Sequence, residues 1–138
     1  MDIKKRLLSK IDEINKYIEE LSSIEFISLE EYKESIEKKR ACERLLQILI
    51  EIIIDISYLL HKHKNLGVPK DDDSVIEELY KKKVINKETR ELILELKGFR
   101  NILVHKYGAV DDELVYENLT DNIGDFERLK DYFLKIIK

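Results

Sequence analysis

The feature that most constrains the fold is the scarcity of residues that break helices. The 138-residue chain contains one proline, Pro69, and four glycines. Because both residue types destabilise helix interiors, proline by about 3 kcal/mol and glycine by about 1 kcal/mol relative to alanine, their scarcity favours long helices over a β-fold. The length suits one ordinary domain, and no repeat, low-complexity tract or linker divides the sequence. We therefore predict a single all-α domain over residues 1–138.

Helical periodicity and capping signals divide the chain into five predicted helices. The second helix begins with the capping-box sequence Ser28-Leu29-Glu30-Glu31. No breaker follows before Asn65, so this helix is predicted to exceed about thirty residues. The predicted segments run from about Asp2 to Leu21, from Ser28 onward, from about Ser74 to Lys82, from Asn86 to Tyr107 and from about Asp112 to the end.

Charge and cysteine content exclude several classes of protein. The formal net charge is −4, which argues against a protein that coats nucleic acid through bulk charge but allows a local phosphate site. Cys42 is the only cysteine, so the sequence predicts neither an intrachain disulfide nor a cysteine-based zinc site, and we expect Cys42 in the core. The longest apolar run, 48–54, is interrupted by Glu51 and is too short to span a bilayer, and the N-terminus lacks the apolar block of a signal sequence. These observations predict a cytoplasmic protein.

The second predicted helix is apolar around most of its circumference. At about 100° per residue, its polar residues fall on one narrow stripe, made of Arg40, Arg44, Gln47, Glu51, Asp55, Tyr58 and Lys62. Such a helix is either the centre of a bundle or has a second buried face at a subunit contact. The ordinary interpretation of the stripe is a solvated face. Because Glu51 and Asp55 are like charges one turn apart, the alternative is that they support a site beside Arg100 or meet a partner's basic surface.

Residues able to act on a phosphodiester cluster at the end of the fourth predicted helix. The stretch 98–108 places Arg100, Asn101, His105 and Tyr107 among apolar residues. An arginine can hold phosphate charge and a histidine can move a proton near neutral pH, so the pair can cleave a phosphodiester without a metal. Asn101 lies one helical turn before His105 and can orient its ring. Arg100 and His105 lie about 140° apart around the helix axis, so they share one site only if long side chains converge or two copies pair.

The combination of these residues resembles a known family. Taken singly, each has a more ordinary role, such as a histidine or an ion-pairing arginine at the surface. The stretch 98–108 resembles the motif of HEPN-domain ribonucleases, and the tyrosine two residues after the histidine is similar to the extended motif of HepT toxins. Residues 39–47, the Ile-rich run with Asp55, the sequence Gly67-Val68-Pro69 and residues 115–119 are similar to family segments in the same order. The resemblance covers nearly the whole chain.

The resemblance implies both a fold and an activity. The fold would be a four- to five-helix up-and-down bundle that dimerises with the two motifs facing each other. The activity would be metal-independent RNA cleavage that needs no cofactor and leaves a 2′,3′-cyclic phosphate. Arg100 would bind the scissile phosphate, His105 would act as general acid or base, and Asn101 would support the site. The partner would be a nucleotidyltransferase antitoxin that silences the toxin by transferring AMP to Tyr107.

Two other functions are compatible with the sequence. One is a non-catalytic HEPN module that binds or dimerises and partners a minimal nucleotidyltransferase, and the other is a purely structural dimerisation domain. His61 and His63 are two residues apart, whereas metal ligands on one helical face need a separation of three or four, so we interpret both as solvated. The lysines at 81–83 and Lys87 are interpreted as a solvated turn that could also guide RNA.

Overall fold

The computed structural model describes residues 2–24, 28–104 and 111–137, and these residues form six α-helices. No strand occurs within these three stretches, which confirms the predicted all-α fold. None of the described helices is long and apolar enough to cross a membrane. The predicted end of the fourth helix at Tyr107 lies outside the described residues. The helices are α1 Ile3–Ser22, α2 Leu29–Glu34, α3 Ile36–His63, α4 Asp72–Lys81, α5 Lys87–Val104 and α6 Asp112–Ile137.

Each described helix begins where a side chain can accept a hydrogen bond from a free backbone N–H group of the first turn. Asn86 Oδ1 accepts from the N–H of Thr89 at 2.8 Å, as its position in the sequence predicts. At α4, Asp71 and Ser74 form a reciprocal capping box, so the helix begins at Asp72, two residues before the predicted start. The capping residues in chain order are Asp2, Ser28, Ser35, Asp71, Asn86 and Asp111.

The second predicted helix is divided in two at Ser35. This residue has an extended backbone with φ −105° and ψ 102°, and its hydroxyl accepts from the N–H of Lys38 at 3.2 Å. Helix α2 therefore ends at Glu34, and α3 begins at Ile36. The prediction of one continuous helix was wrong because serine is tolerated inside helices but can also cap a new one, and neither proline nor glycine marks the break.

The helix α3 is the centre of the bundle, which was one of the two positions that its apolar circumference predicted. It packs against each of the other five described helices. Cys42 is fully buried, and burial raises the pKa of its thiol to about 11, so it is a core residue as expected. Other apolar residues of α3 that are at most 1 % exposed are Leu46, Leu49, Ile50, Ile53, Ile56 and Leu60.

Acidic residues of α4 pair with basic residues of α5 in reverse chain order, so the two helices run antiparallel. The pairs are Asp72 with Arg100, Asp73 with Lys97 and Glu77 with Arg90. Partly exposed ion pairs contribute little to stability, roughly 0–1 kcal/mol each, but three in register fix how α4 lies along α5. They place the N-terminus of α4 beside the part of α5 that carries Arg100.

We predict that Ser35→Ala lowers the free energy of unfolding by about 1 kcal/mol, because it removes the cap of α3. Chemical denaturation followed by circular dichroism measures this change. The matched control is Ser9→Ala, at an exposed position within α1, which should change the free energy of unfolding by less than about 0.5 kcal/mol. Equal stability of Ser35→Ala and wild type would mean that α2 and α3 can join across residue 35 without loss.

Candidate active site

Arg100 lies near the end of the described part of α5, at the edge of the core. Phe99 and Leu103 on the same helix are buried, whereas Ile102 is 47 % exposed. The Arg100 side chain is 22 % exposed. Its guanidinium therefore reaches the surface from a backbone position that packing on both sides holds in place.

Two side chains hold the Arg100 guanidinium. Nη2 donates to Asn101 Oδ1 at 3.2 Å and lies 3.5 Å from Asp72 Oδ2. Asp72 is in the first turn of α4, and its other carboxylate oxygen accepts from the Tyr58 hydroxyl at 2.7 Å. We name these four residues, Tyr58, Asp72, Arg100 and Asn101, the arginine cluster. The cluster joins α3, α4 and α5 at one place.

The arginine cluster leaves part of the guanidinium available for an anion. A guanidinium has five N–H donors, and its contacts within the described residues are both made by Nη2. Among the described residues, Nε and Nη1 therefore have no partner and can bind a ligand. Arginine suits phosphate because its planar fork can donate two parallel hydrogen bonds to one group. The arrangement can therefore bind a phosphate locally, without a large basic surface.

Tyr58 is held in its protonated form. Burial, the hydrogen bond to the Asp72 carboxylate and the negative charge of that carboxylate together raise the pKa of the Tyr58 phenol to about 12. A protonated phenol can donate to the carboxylate throughout the neutral pH range. Tyr58 therefore keeps Asp72 in the orientation that meets Arg100.

The acidic residues that we expected beside Arg100 have other neighbours. Glu51 accepts a hydrogen bond from Gln47 on the same helix at 3.1 Å. Asp55 lies 3.5 Å from Lys10 Nζ of α1. Both residues differ from the expectation because Glu51 is paired within α3 and the side chain of Asp55 faces α1. A contact with a partner's basic surface stays a prediction for both residues.

The carboxylate that does meet Arg100 is that of Asp72, which sequence reasoning did not select. Its contact depends on how α4 packs along α5, and helical periodicity carries no information about that. Two signals were present in the sequence. Asp72 belongs to the acidic run 71–73 before a predicted helix, and Tyr58 lies on the polar stripe of α3.

The described part of the motif contains Arg100 and Asn101, whereas His105 and Tyr107 lie outside the described residues. We expected Asn101 to orient His105, and its described contact is with the guanidinium of Arg100. A role of Asn101 towards His105 stays a prediction, as do the roles of His105 and Tyr107 themselves.

His61 is buried, which corrects the interpretation of both histidines near the end of α3 as solvated. Its side chain is 1 % exposed, and Nε2 lies 3.2 Å from Glu78 Oε2 on α4. His63 is exposed, as expected. His61 lies inside because the last turns of α3 pack against α4.

The fold is that of HEPN toxins. The chain is similar to the tri-AMPylated HEPN toxin of Shewanella oneidensis in complex with MNT antitoxin, with a TM-score of 0.84, 22 % identity and 98 % of each chain covered. It is also similar to a chain of a toxin–antitoxin structure with AMP-PNP, with a TM-score of 0.83, 22 % identity, and 96 % of this chain and 98 % of that chain covered.

Sequence comparison identifies the family to which the chain belongs. The family model described as Ribonuclease HepT-like matches residues 14–133. A relative named tRNA nuclease HepT, from Aphanizomenon flos-aquae, is 33 % identical over 109 residues, which are 78 % of this chain and 74 % of that protein. A relative named mRNA nuclease HepT, from Shewanella oneidensis, is 27 % identical over 93 residues, 67 % of each protein. The chain belongs to the HepT-like ribonuclease family.

We predict that Tyr58 ionises near pH 12 in the folded protein, above the ordinary tyrosine pKa of 10.0. The difference in tyrosinate absorbance between wild type and Tyr58→Phe measures this. In Asp72→Asn the pKa of Tyr58 should fall, because the hydrogen bond to a carboxylate and its charge both favour the protonated phenol.

The same pKa predicts how stability depends on pH. Because the folded-state pKa of Tyr58 is raised, its contribution to stability should be complete below pH 10 and should be lost as the pH rises through about 12. Denaturation of wild type and Tyr58→Phe over this range measures the difference. Ionisation of Tyr58 near pH 10 in the folded protein would contradict the geometry of the arginine cluster.

Proposed function

We propose that the chain is a metal-independent endoribonuclease that acts in the cytoplasm as the toxin of a toxin–antitoxin pair. The observation that carries this proposal is the arginine cluster, which holds a guanidinium at the surface in a member of the HepT-like ribonuclease family. Two relatives bear the names tRNA nuclease and mRNA nuclease, which supports RNA as the substrate.

In the proposed reaction the 2′-hydroxyl of RNA attacks the neighbouring phosphorus. His105 either takes the proton of the 2′-hydroxyl as general base or gives a proton to the departing 5′-oxygen as general acid, and solvent water exchanges the other proton. Arg100 stabilises the charge that develops on the non-bridging phosphate oxygens. The bond from phosphorus to the 5′-oxygen breaks, which leaves a 2′,3′-cyclic phosphate and a 5′-hydroxyl. Asn101 and Asp72 act through Arg100 as positioning residues.

We infer that two copies of the chain form the complete site as a homodimer. Arg100 and His105 are five residues apart, which is about 140° around a helix axis, so on one helix they do not face the same point. A symmetric dimer can bring the arginine of one protomer opposite the histidine of its partner. Ile102, which lies between them in sequence and is exposed, offers an apolar contact for such an interface.

We predict that the purified protein cleaves RNA in the presence of EDTA, and that Arg100→Ala and His105→Ala each lower the rate by at least about 100-fold. Labelled tRNA and mRNA fragments report cleavage, and analysis of the product ends reports the cyclic phosphate. The matched control is Arg6→Ala, an exposed arginine of α1, which should keep the wild-type rate.

The same assay separates the proposal from its main alternative, a non-catalytic HEPN module that partners a nucleotidyltransferase. No cleavage by unmodified wild type of verified mass would favour the binding module. Equal cleavage by wild type and His105→Ala would indicate a contaminant or a different site. Loss of cleavage in EDTA would contradict a metal-independent reaction.

We further propose that a nucleotidyltransferase antitoxin silences the protein by transferring AMP to Tyr107. Support comes from the fold neighbour that is a tri-AMPylated HEPN toxin in complex with MNT antitoxin. Tyr107 is seven residues after Arg100, a spacing that puts two residues of a helix on nearly the same face. Each attached AMP adds phosphate charge that competes with RNA for Arg100 and bulk that blocks access to it.

Incubation with the antitoxin and ATP is expected to add whole AMP units to wild type and to abolish RNA cleavage. Tyr107→Phe should stay unmodified and active, because it lacks the acceptor hydroxyl. Intact-mass spectrometry measures the modification, and Tyr17→Phe on α1 is the control that should be modified like wild type. Equal modification of Tyr107→Phe and wild type would assign the acceptor to another residue.

A further inference from the structure

A cleft of about 470 Å³ opens at the C-terminal end of α4, away from the arginine cluster. Its lining residues are Tyr80, Lys81, Lys83, Ile85, Asn86 and Tyr132, and we name it the lysine cleft. Asp72 and Lys81 are the first and last residues of α4. At about 1.5 Å per residue, the lysine cleft therefore lies about 14 Å along this helix from the arginine cluster.

The lysine cleft is basic in a chain whose net charge is −4. No carboxylate is among the described residues that line it. Lys81 and Lys83 are exposed, and neither has an ion pair with any residue in the described stretches of the chain. By contrast, Lys97 and Arg100 on α5 each contact an acidic residue of α4. The adjoining cleft, which shares Asn86 and Tyr132, carries Glu88 and Asp131, so the positive charge offered to a polyanion is concentrated at Lys81 and Lys83.

Two tyrosines give the lysine cleft aromatic walls. Tyr80 is 36 % exposed, and the Arg90 guanidinium lies over one face of its ring, 5.3 Å from the ring centroid, so an unpaired base would meet the other face. The Tyr132 hydroxyl accepts a hydrogen bond from the N–H of Asn86 at 3.0 Å, which fixes the second ring. Aromatic rings beside cationic side chains are the combination that binds single-stranded nucleic acid with little regard to sequence.

The backbone conformation of Lys83 is a further unusual feature of the lysine cleft. Lys83 has a left-handed conformation with φ 60°, which residues with a side chain adopt much less readily than glycine. A glycine would make the same turn without strain. The conformation of the turn therefore does not explain why position 83 carries a lysine.

We propose that the lysine cleft binds a single-stranded part of the RNA substrate, with a phosphate between Lys81 and Lys83 and an unpaired base against Tyr80. This inference rests on the proposed function, because it gives the substrate of that active site a second point of contact. The ion pairs of Asp73 and Glu77 lie between the two contacts and neutralise the surface there. An acidic protein can thus recognise RNA through two local contacts whose separation is fixed by one helix.

The test compares two double variants that remove the same charge. Lys81→Ala/Lys83→Ala changes the lysine cleft, and Lys4→Ala/Lys5→Ala changes exposed positions of α1. Both are made in His105→Ala protein, so that binding is measured without cleavage. Fluorescence anisotropy with a labelled single-stranded RNA of about twelve nucleotides, a length within the usual site size, gives the affinity at several salt concentrations.

We expect the lysine-cleft variant to bind this RNA about tenfold more weakly than its parent, and the α1 variant to bind like the parent. The slope of log affinity against log salt should decrease in magnitude by about 0.7 in the lysine-cleft variant, since the one phosphate between the two lysines is lost and each single-strand phosphate contact contributes about 0.7. In protein with His105 intact, KM for the long RNA should rise by more than KM for a trinucleotide that cannot span both contacts.

A second double variant controls for a change in the backbone turn at position 83. Lys81→Ala/Lys83→Gly removes both charges and leaves a residue that favours the left-handed backbone, so it should bind RNA as weakly as the alanine variant. Equal RNA affinity of the lysine-cleft and α1 variants would overturn the proposal. Loss of antitoxin binding with unchanged RNA affinity would also overturn it, because the cleft would then be a protein contact.

The experiment also separates this inference from the proposed function. If wild type cleaves no RNA but RNA binding depends on Lys81 and Lys83, the proposed catalysis fails and the lysine cleft stands. If wild type cleaves RNA and the lysine-cleft variants bind and cleave it like wild type, the proposed catalysis stands and the lysine cleft fails.

Discussion

The helix α3 must be covered on nearly all sides, and all five of the other described helices pack against it. Its Ile- and Leu-rich surface is stable in water only when neighbours exclude solvent, since burial of each large aliphatic side chain contributes about 1.5–3 kcal/mol. The requirement places α4 and α5 beside each other on α3. Tyr58 lies on the narrow polar stripe of α3 and meets the first turn of α4 there. The arginine cluster is therefore a consequence of how the core is built, and its position does not depend on a separate binding domain.

The charges of α4 and α5 explain how an acidic chain could hold the proposed phosphate site. Each of three basic residues on α5 has an acidic partner on α4, and Arg100 is the one held near the end of the described helix. The contact between Arg100 and Asp72 is 3.5 Å, longer than the typical distance of about 2.7–2.9 Å in a strong charge-assisted hydrogen bond. Asp72 can therefore orient the guanidinium without occupying all of its donors. The nearby negative charge also lowers the attraction for anions in general, so the proposed recognition of RNA has to come from geometry.

The parts of this structure that local chemistry determines could be predicted from the sequence. The capping residues Ser28 and Asn86 indicated where two helices begin, and the apolar circumference of α3 indicated either the centre of the bundle, where it lies, or a subunit contact. The helix break at Ser35 was not predicted because a serine can either continue a helix or cap a new one. Only tertiary packing decides between the two. The same limit applies to the site. Arg100 and Asn101 stood out by residue type, whereas the contact with Asp72 depends on the register of α4 along α5, and the burial of His61 depends on the packing of α4 on α3.

The presence of Asp72 beside Arg100 also bears on how the proposed silencing can work. A carboxylate next to the guanidinium weakens the binding of any free phosphate, so a free nucleotide would be a poor inhibitor at ordinary concentrations. An AMP group attached to Tyr107 does not face this limit, because a tethered ligand acts at an effective concentration on the order of millimolar or higher. The reaction itself is affected less than simple binding, since Arg100 has only to stabilise the charge that develops in the transition state more strongly than that of the bound substrate. A weakly attractive arginine is thus compatible with catalysis, with little binding of generic RNA and with tight control by covalent modification.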